Sequence, residues 1–524
     1  MNARYVRLQA ALAALLVPAS LAASASAGDD QRLIDAVRRQ DRAAVQTLLR
    51  ERIDINARQG DAATALHWAV HHDNAEIVSL LVRAGADAAA ANDLGITPLM
   101  LACANGSLPV VRTLLDAGAD PNAGPAGRET PLMAASRTGR ADVVTLLLDR
   151  GANVNATETS RQQSALMWAA SERHPDVVRV LIARGADVHA RTVSNVGNRR
   201  GPGSRAGATV AGYTPLLFAA RVGDARSAAL LLDAGAKVDV ASDDGLSALA
   251  RATVRGHTAA AIALLERGAN PNVSTPGFSP LHWAAGSWET TLTATDISVD
   301  REGNEEWNVL AGIRTGKPEL VKALLARGAD VNARMKSAPT RAGASRNTLP
   351  ELAGATPFLL AATAGDTGVM RLLAEAGADT ALTAEGRSTP LMAAAGFGRI
   401  LGENTRRESQ LLGAARLAVE LGADVNATDA AGNTAMHYAA YHRLTSVVQF
   451  LVDKGAKIDV KNKFGETPLW TSELAIQFFG GGTFQVLRSS TGDLLRKLGA
   501  VDVRPSYERA RPRDWPDNLL EGGT

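Results

Sequence analysis

The sequence predicts an all-α repeat solenoid, and three observations carry that reading. A Thr or Ser followed by Pro or Ala and an apolar residue recurs at Thr64, Thr97, Thr130, Ser164, Thr214, Ser247, Ser279, Thr356, Thr389, Thr434 and Thr467, and seven of the ten intervals are 32, 33 or 34 residues. A second marker, Gly-Ala, runs in phase with it from Gly85 through Gly118, Gly151, Gly185, Gly235, Gly268, Gly328, Gly377, Gly422 and Gly455 to Gly499. Between the markers, apolar residues fall at helical spacing. A fixed period of this length means stacked supersecondary units, each too small to bury its apolar face alone.

Composition agrees. Hydrophobic residues make up 46% of the 524 and charged residues 21%, so the chain has the makings of a packed core, and aromatics at 4% suit thin helices rich in Ala, Leu and Val. The formal net charge of +2 is due to Arg4 and Arg7. Without them the basic and acidic residues balance, which leaves no global electrostatic case for nucleic acid or an anionic membrane. The single cysteine, Cys103, excludes an intramolecular disulfide and any multi-cysteine metal site. It lies in the apolar run TPLMLACANG, where a small core residue is wanted.

Residues 1–27 read as a secretory signal peptide. Arg4 and Arg7 precede an uncharged stretch from Leu8, and Ala25-Ser26-Ala27 offers small residues before Gly28. The strongly apolar part, Leu8 to Val17, is too short to span a bilayer. No cysteine follows it, and the two arginines are not adjacent, which argues against a lipoprotein and against twin-arginine export. The expected location is therefore the periplasm, with the extracellular space as the alternative and no stable membrane insertion. The remaining segment, 28–503, is expected to form one solenoid domain of about twelve repeats. Residues 29–58 hold two helices with charged outer faces, as an N-terminal cap requires.

The unit Thr97 to Ala123, TPLMLACANGSLPVVRTLLDAGADPNA, shows why each repeat folds as it does. The Thr97 hydroxyl can accept from a first-turn amide, and Pro98 occupies the first helical position, where no donor is needed. Leu99, Ala102 and Cys103 form an apolar face. Gly106 ends that helix, Val110, Val111, Leu114 and Leu115 line a second one, and Gly118 stops it. A polar turn then leads into the next unit. Thr130-Pro131, Ser279-Pro280 with His282, and Thr389-Pro390 repeat the opening in full form.

These residues resemble the ankyrin repeat, with its T-P-L-H opening, G-A-D or G-A-N closing and period of 33, over essentially 29–500. The resemblance implies helix-turn-helix units stacked side by side, with β-hairpin-like finger loops along one edge, and it implies binding of proteins. The whole chain also looks like exported bacterial ankyrin-repeat proteins with long inserts, a likeness that implies no defined activity. Departures exist. Ala replaces Pro at 65, 165, 248 and 435, and the motif histidine survives as His67, His282 and His437.

Irregularities are the informative places in such a chain. Finger insertions are expected near 191–212 and 334–354. The first carries Arg191, Arg199, Arg200 and Arg205 with no acid, and the second Arg334, Lys336, Arg341 and Arg346 against Glu351. They read as basic loops for an acidic partner or anionic polymer, or as solvated linkers. Insertions between the two helices of one repeat are expected near 286–316 and 397–413. The larger contains Glu289, Asp296, Asp300, Glu302, Glu305 and Glu306 with Trp288 and Trp307, but its spacing does not match an EF-hand. Its tryptophans staple the loop or contact a partner. Residues 504–524 read as a partly disordered tail.

No catalytic motif is present, neither H-E-x-x-H, G-x-S-x-G, a phosphate-binding G-x-x-x-x-G-K-[ST] nor G-x-G-x-x-G. His67 and His71 have metal-ligand spacing, but His67 fills the repeat motif. Trp68, Trp168, Phe218, Trp283 and Tyr438 follow the motif's fourth position and read as packing, with a groove lining as the alternative. The expected function is thus a monomeric, non-catalytic scaffold that binds another protein, without cofactor or metal. Its partner contacts are placed at Arg199, Arg200, Arg205, Arg341, Arg346, Trp288 and Trp307. Carbohydrate or polyanion binding through the basic insertions, or a small metal-dependent module within 286–316, are the alternatives.

Overall fold

A computed structural model describes residues 31–51, 53–194, 211–273, 277–287, 313, 315–336, 352–398, 408–475, 485–486 and 488–503. Residues 1–27, expected to be a signal peptide, and 504–524, expected to be a tail, lie outside them. Where the repeat pattern suggests a single solenoid, the chain divides into two compact units that part between Lys237 and Val238. Among the described residues each unit contains six helix pairs.

In the first unit the pairs are α1 (Gln31–Arg38) and α2 (Arg42–Arg50), α3 (Ala65–His71) and α4 (Ala75–Arg83), α5 (Pro98–Asn105) and α6 (Leu108–Asp116), α7 (Pro131–Thr138) and α8 (Ala141–Asp149), α9 (Ala165–Ser171) and α10 (Pro175–Ala183), α11 (Pro215–Val222) and α12 (Ala225–Asp233). First helices pack on first helices and second on second along the stack. Leu99, Ala102, Cys103, Val110, Val111 and Leu114 are fully buried. Each large aliphatic side chain removed from water contributes roughly 1.5–3 kcal/mol, so the apolar stripe of both helices drives the stacking.

The second unit repeats the plan with α13 (Ala248–Val254) and α14 (Thr258–Glu266), α15 (Pro280–Ala285) and α16 (Lys317–Ala326), α17 (Pro357–Ala364) and α18 (Thr367–Glu375), α19 (Pro390–Ala394) and α20 (Glu408–Glu420), α21 (Ala435–Tyr441) and α22 (Thr445–Asp453), α23 (Pro468–Glu473) and α24 (Ser490–Lys497). A two-residue antiparallel pair, β1 (Leu474–Ala475) with β2 (Gln485–Val486), stands between the last two helices. One boundary is corrected: α20 already begins at Glu408, so the insertion placed at 397–413 gives up its last residues to a helix of 13. Phe397, also assigned to that insertion, is instead buried against Tyr438 with ring centroids 5.4 Å apart.

The hydroxyl at each opening caps its helix. Thr97 Oγ1 accepts from the Met100 amide at 3.3 Å, Thr130 from Met133 at 3.3 Å, Ser279 from His282 at 3.4 Å and Thr389 from Met392 at 3.2 Å. Pro98, Pro131, Pro280 and Pro390 take the first helical turn. Gly139 ends α7 at φ 79°, and a Cβ there would lie 2.5 Å from the His174 ring, so only glycine lets the next repeat approach.

The closing motif clamps neighbours together. Asn122 donates from Nδ2 to the Gly151 carbonyl at 3.0 Å and accepts from the Asn153 amide at 2.8 Å. Asn155 does the same to Gly185 and Asp187. In the second unit Asn272 reaches Gly328 and Asp330 in this way, although the 286–316 insertion lies between them in sequence. The stack is thereby continued past an insertion of about thirty residues.

Candidate interaction surface

The first helices present one residue per repeat directly after the motif's fourth position. Trp68, Phe218 and Trp283 are buried there, whereas Trp168 and Tyr438 are half-buried. Their polar tips follow a rule. Trp68 Nε1 donates to Gln59 Oε1 at 2.9 Å, and the Tyr438 hydroxyl donates to Asp429 Oδ2 at 2.6 Å, in each case a finger residue nine positions earlier. Arg251, the charged occupant of the same position, donates to Ser242, again nine earlier, and pairs with Asp244 at 2.8 Å. Its side chain is only 3% exposed, and the pair supplies the acceptor that such burial demands.

Trp168 departs from the rule. The residue nine earlier is Thr159, whose hydroxyl donates instead to the Gly127 carbonyl of the preceding finger at 2.7 Å. The Trp168 Nε1 atom is buried without an acceptor. The Arg137 guanidinium stands over the indole, 5.9 Å from its centroid, as Arg38 does over Trp68 at 4.8 Å. Arg137 also pairs with Glu129 at 3.1 Å, and its Nε has no acceptor. Burial raises the Glu129 carboxyl, against the pull of Arg137.

The fingers are tied to one another by single main-chain bonds. In the first unit Asp93 N donates to Asp61 O at 3.1 Å, Thr159 N to Gly127 O at 2.8 Å and Val193 N to Arg161 O at 3.0 Å. Carboxylates and amides fold each tip: Glu158 accepts from the amides of Ser160, Arg161 and Gln163 at 2.7–3.0 Å and from the Ser160 hydroxyl. Burial works to raise Glu158, but these hydrogen bonds prevail and hold it below the usual carboxylate range.

The three motif histidines are structural. His67 Nδ1 accepts from the Thr64 amide at 3.2 Å and its Nε2 faces the Ile96 carbonyl of the next repeat at 3.1 Å. His282 joins Ser279 to Ala333, and His437 joins Thr434 to Glu466, in the same fashion. This network assigns the proton to Nε2. Burial lowers all three, His282 to about 4. His71 and His72 pack around Trp68 with centroids 5.8 and 6.2 Å away, and among the described residues no group of three or more His, Cys, Asp or Glu is arranged for a metal. Cys103 is buried, and burial raises its thiol far above the ordinary value.

Arg199, Arg200, Arg205, Arg341, Arg346, Trp288 and Trp307 lie outside the described residues. The roots of both finger insertions are described. Thr192 N donates to Tyr213 O at 2.9 Å and Gly212 N to Thr192 O at 2.9 Å; Met335 N donates to Ala355 O at 2.9 Å and Gly354 N to Met335 O at 2.7 Å. Each insertion thus leaves and re-enters through a hydrogen-bonded stem. Sequence reasoning missed the pairing of Arg137 with Trp168 and Glu129, and the burial of Arg251. An arginine within a run otherwise occupied by Ala and aromatics was the signal available for Arg251.

Among the described residues, no helix is long and apolar enough to cross a membrane. Family models for ankyrin repeats match residues 33–125, 123–192, 201–275, 277–336 and 419–469. The chain is similar to the E3 ubiquitin-protein ligase KEG of Arabidopsis thaliana, 26% identical over 262 residues, which cover 45% of this chain and 14% of that protein. It therefore spans only a small part of that relative's length. Among solved structures it is similar to the human ASB11 ankyrin repeat domain, at 25% identity and a TM-score of 0.38, over 45% of this chain and 96% of that one.

Proposed function

Because this chain belongs to the ankyrin-repeat family, we propose that it is a non-catalytic scaffold that holds another protein against its finger loops and inner helix face, in the periplasm or outside the cell. Ankyrin repeats are generally protein–protein interaction modules, and the observation that carries the reading is the series of stacked helix pairs with linked fingers. Such a stack buries its catalytically useful groups: the motif histidines hold neighbouring repeats together, and Cys103 is sealed in the core. What each unit offers to solvent is a face of fingers and first helices whose side chains vary from repeat to repeat. Residues 1–27 support export, since they combine Arg4 and Arg7, an apolar stretch and an A-x-A sequence before Gly28.

The test is cross-linked affinity capture from native envelope extract, with residues 28–524 as one bait and the same chain lacking 199–208 as the other. A dominant partner retained by the first bait and weakened with the second places contact at the basic finger. Equal capture moves the contact to the helix face. Absence of any specific partner from folded bait overturns the scaffold reading for that compartment. N-terminal sequencing of the mature protein tests export, with Gly28 as the expected first residue.

A further inference from the structure

The geometry points to a docking site for an acidic protein segment on the first unit, where the third and fourth fingers meet the inner face at Arg128, Arg161, Arg137 and Trp168. This deepens the scaffold reading and rests on it. The argument begins with Trp168. Three side chains at the equivalent position, Trp68, Arg251 and Tyr438, are braced by the finger residue nine earlier. Thr159 has turned its hydroxyl to Gly127, so the indole N–H of Trp168 is left without an acceptor, and the Arg137 Nε beside it likewise. Buried donors are almost always satisfied, and two orphans in one stacked pair mark a place where an incoming acceptor gains more than it would elsewhere.

Charge around this place selects the acceptor. Gly127 O receives the Thr159 amide and Arg161 O receives the Val193 amide, so Arg128 and Arg161 stand on consecutive, bonded fingers. Arg128 is exposed and Arg161 half-buried, and neither side chain has a partner among the described residues. The nearby acids are already engaged. Glu158 is consumed by the amides of its own turn, and Glu129 is paired with Arg137. Glu172 is exposed, but it caps the end of α9 opposite the fingers. The earlier fingers of this unit differ in sign, with Asp61 and Asp93 at their junction. On the next finger Arg191 extends this basic stretch. An extended peptide with spaced carboxylates would pair with Arg128 and Arg161 while a main-chain carbonyl accepts from Trp168 Nε1.

The test uses phage-displayed random dodecapeptides selected on the full chain, and titration of the selected peptides, labelled with fluorescein, by anisotropy. The variants are Arg128→Gln with Arg161→Gln, and Trp168→Phe, which keeps an aromatic ring while removing the N–H; circular dichroism verifies that each folds. Expected are peptides enriched in Asp and Glu whose affinity falls about tenfold with the double Gln variant and several-fold with Trp168→Phe, with Glu-to-Gln peptides failing to bind. Peptides that bind without acidic enrichment, or equally to the variants, overturn this site while leaving the scaffold reading intact. If folded protein selects no peptide at all, both fall. If dextran sulfate binds with the same dependence on Arg128 and Arg161 while acidic peptides do not, the surface belongs to a polysaccharide and the protein-segment proposal is overturned.

Discussion

Protonating His282 should unstack its repeat, and the size of the effect follows from its surroundings. The ring is 1% exposed, accepts from the Ser279 amide at Nδ1 and donates from Nε2 to the Ala333 carbonyl at 2.9 Å. Burial lowers its pKa from 6.5 to about 4, against the smaller opposing pull of the backbone hydrogen bonds. The native state thus holds the neutral ring more firmly than the unfolded chain does. The stability tied to neutrality is intact above about pH 6.5 and is lost as pH falls toward about 4. At about 1.36 kcal/mol per pH unit the full loss is on the order of 3 kcal/mol, and about 2 kcal/mol of it should be gone by pH 5. His282→Met is the right control, because Met133 and Met392 occupy the same position in other repeats and still receive the capping residue's amide, at 3.5 and 3.4 Å. The variant should lose about 1 kcal/mol at pH 7.5 through the missing bond to Ala333, yet equal or exceed the wild type at pH 5. Urea unfolding at both pH values, followed by the fluorescence of the adjacent Trp283, measures the difference between the two proteins. An unchanged pH dependence in His282→Met would refute the assignment of the effect to this ring.

Other consequences are as direct. Arg251→Met should cost about 3 kcal/mol, because it strands the Asp244 carboxylate, and Asp244→Asn added to it should recover most of that loss in thermal unfolding. Gly139→Ala should destabilise the first unit by about 2 kcal/mol, through its positive φ and the His174 ring, with hydrogen exchange fastest in α7 and α10; unchanged exchange there would contradict the packing. Asn122→Ala removes two bonds between repeats at an exposed site and should cost about 1 kcal/mol, visible as increased exchange at the Asn153 amide. Cys103 should resist a thiol reagent in the folded chain and react once urea unfolds it; rapid labelling under native conditions would show that its repeat opens.

Much of the fold is legible in the residues themselves. Period, capping hydroxyl, first-turn proline and closing glycine are local devices, each acting within a few residues, so the twelve helix pairs among the described residues and their order can be read directly. The division near Lys237 and the start of α20 at Glu408 cannot be read so, since they depend on how neighbouring repeats pack. The same holds for the surface. That Trp68, Trp168 and Tyr438 share a position is a sequence fact, but whether each indole or hydroxyl finds a brace depends on where Gln59, Thr159 and Asp429 turn. Arg128 and Arg161 are 33 residues apart in sequence and are brought onto consecutive fingers only by stacking. Sequence alone thus determined the repeating unit, because its signals are short-range hydrogen bonds and helical periodicity. The tertiary structure decided which side chains are braced, buried or left exposed, because those outcomes are settled by contacts one full repeat away.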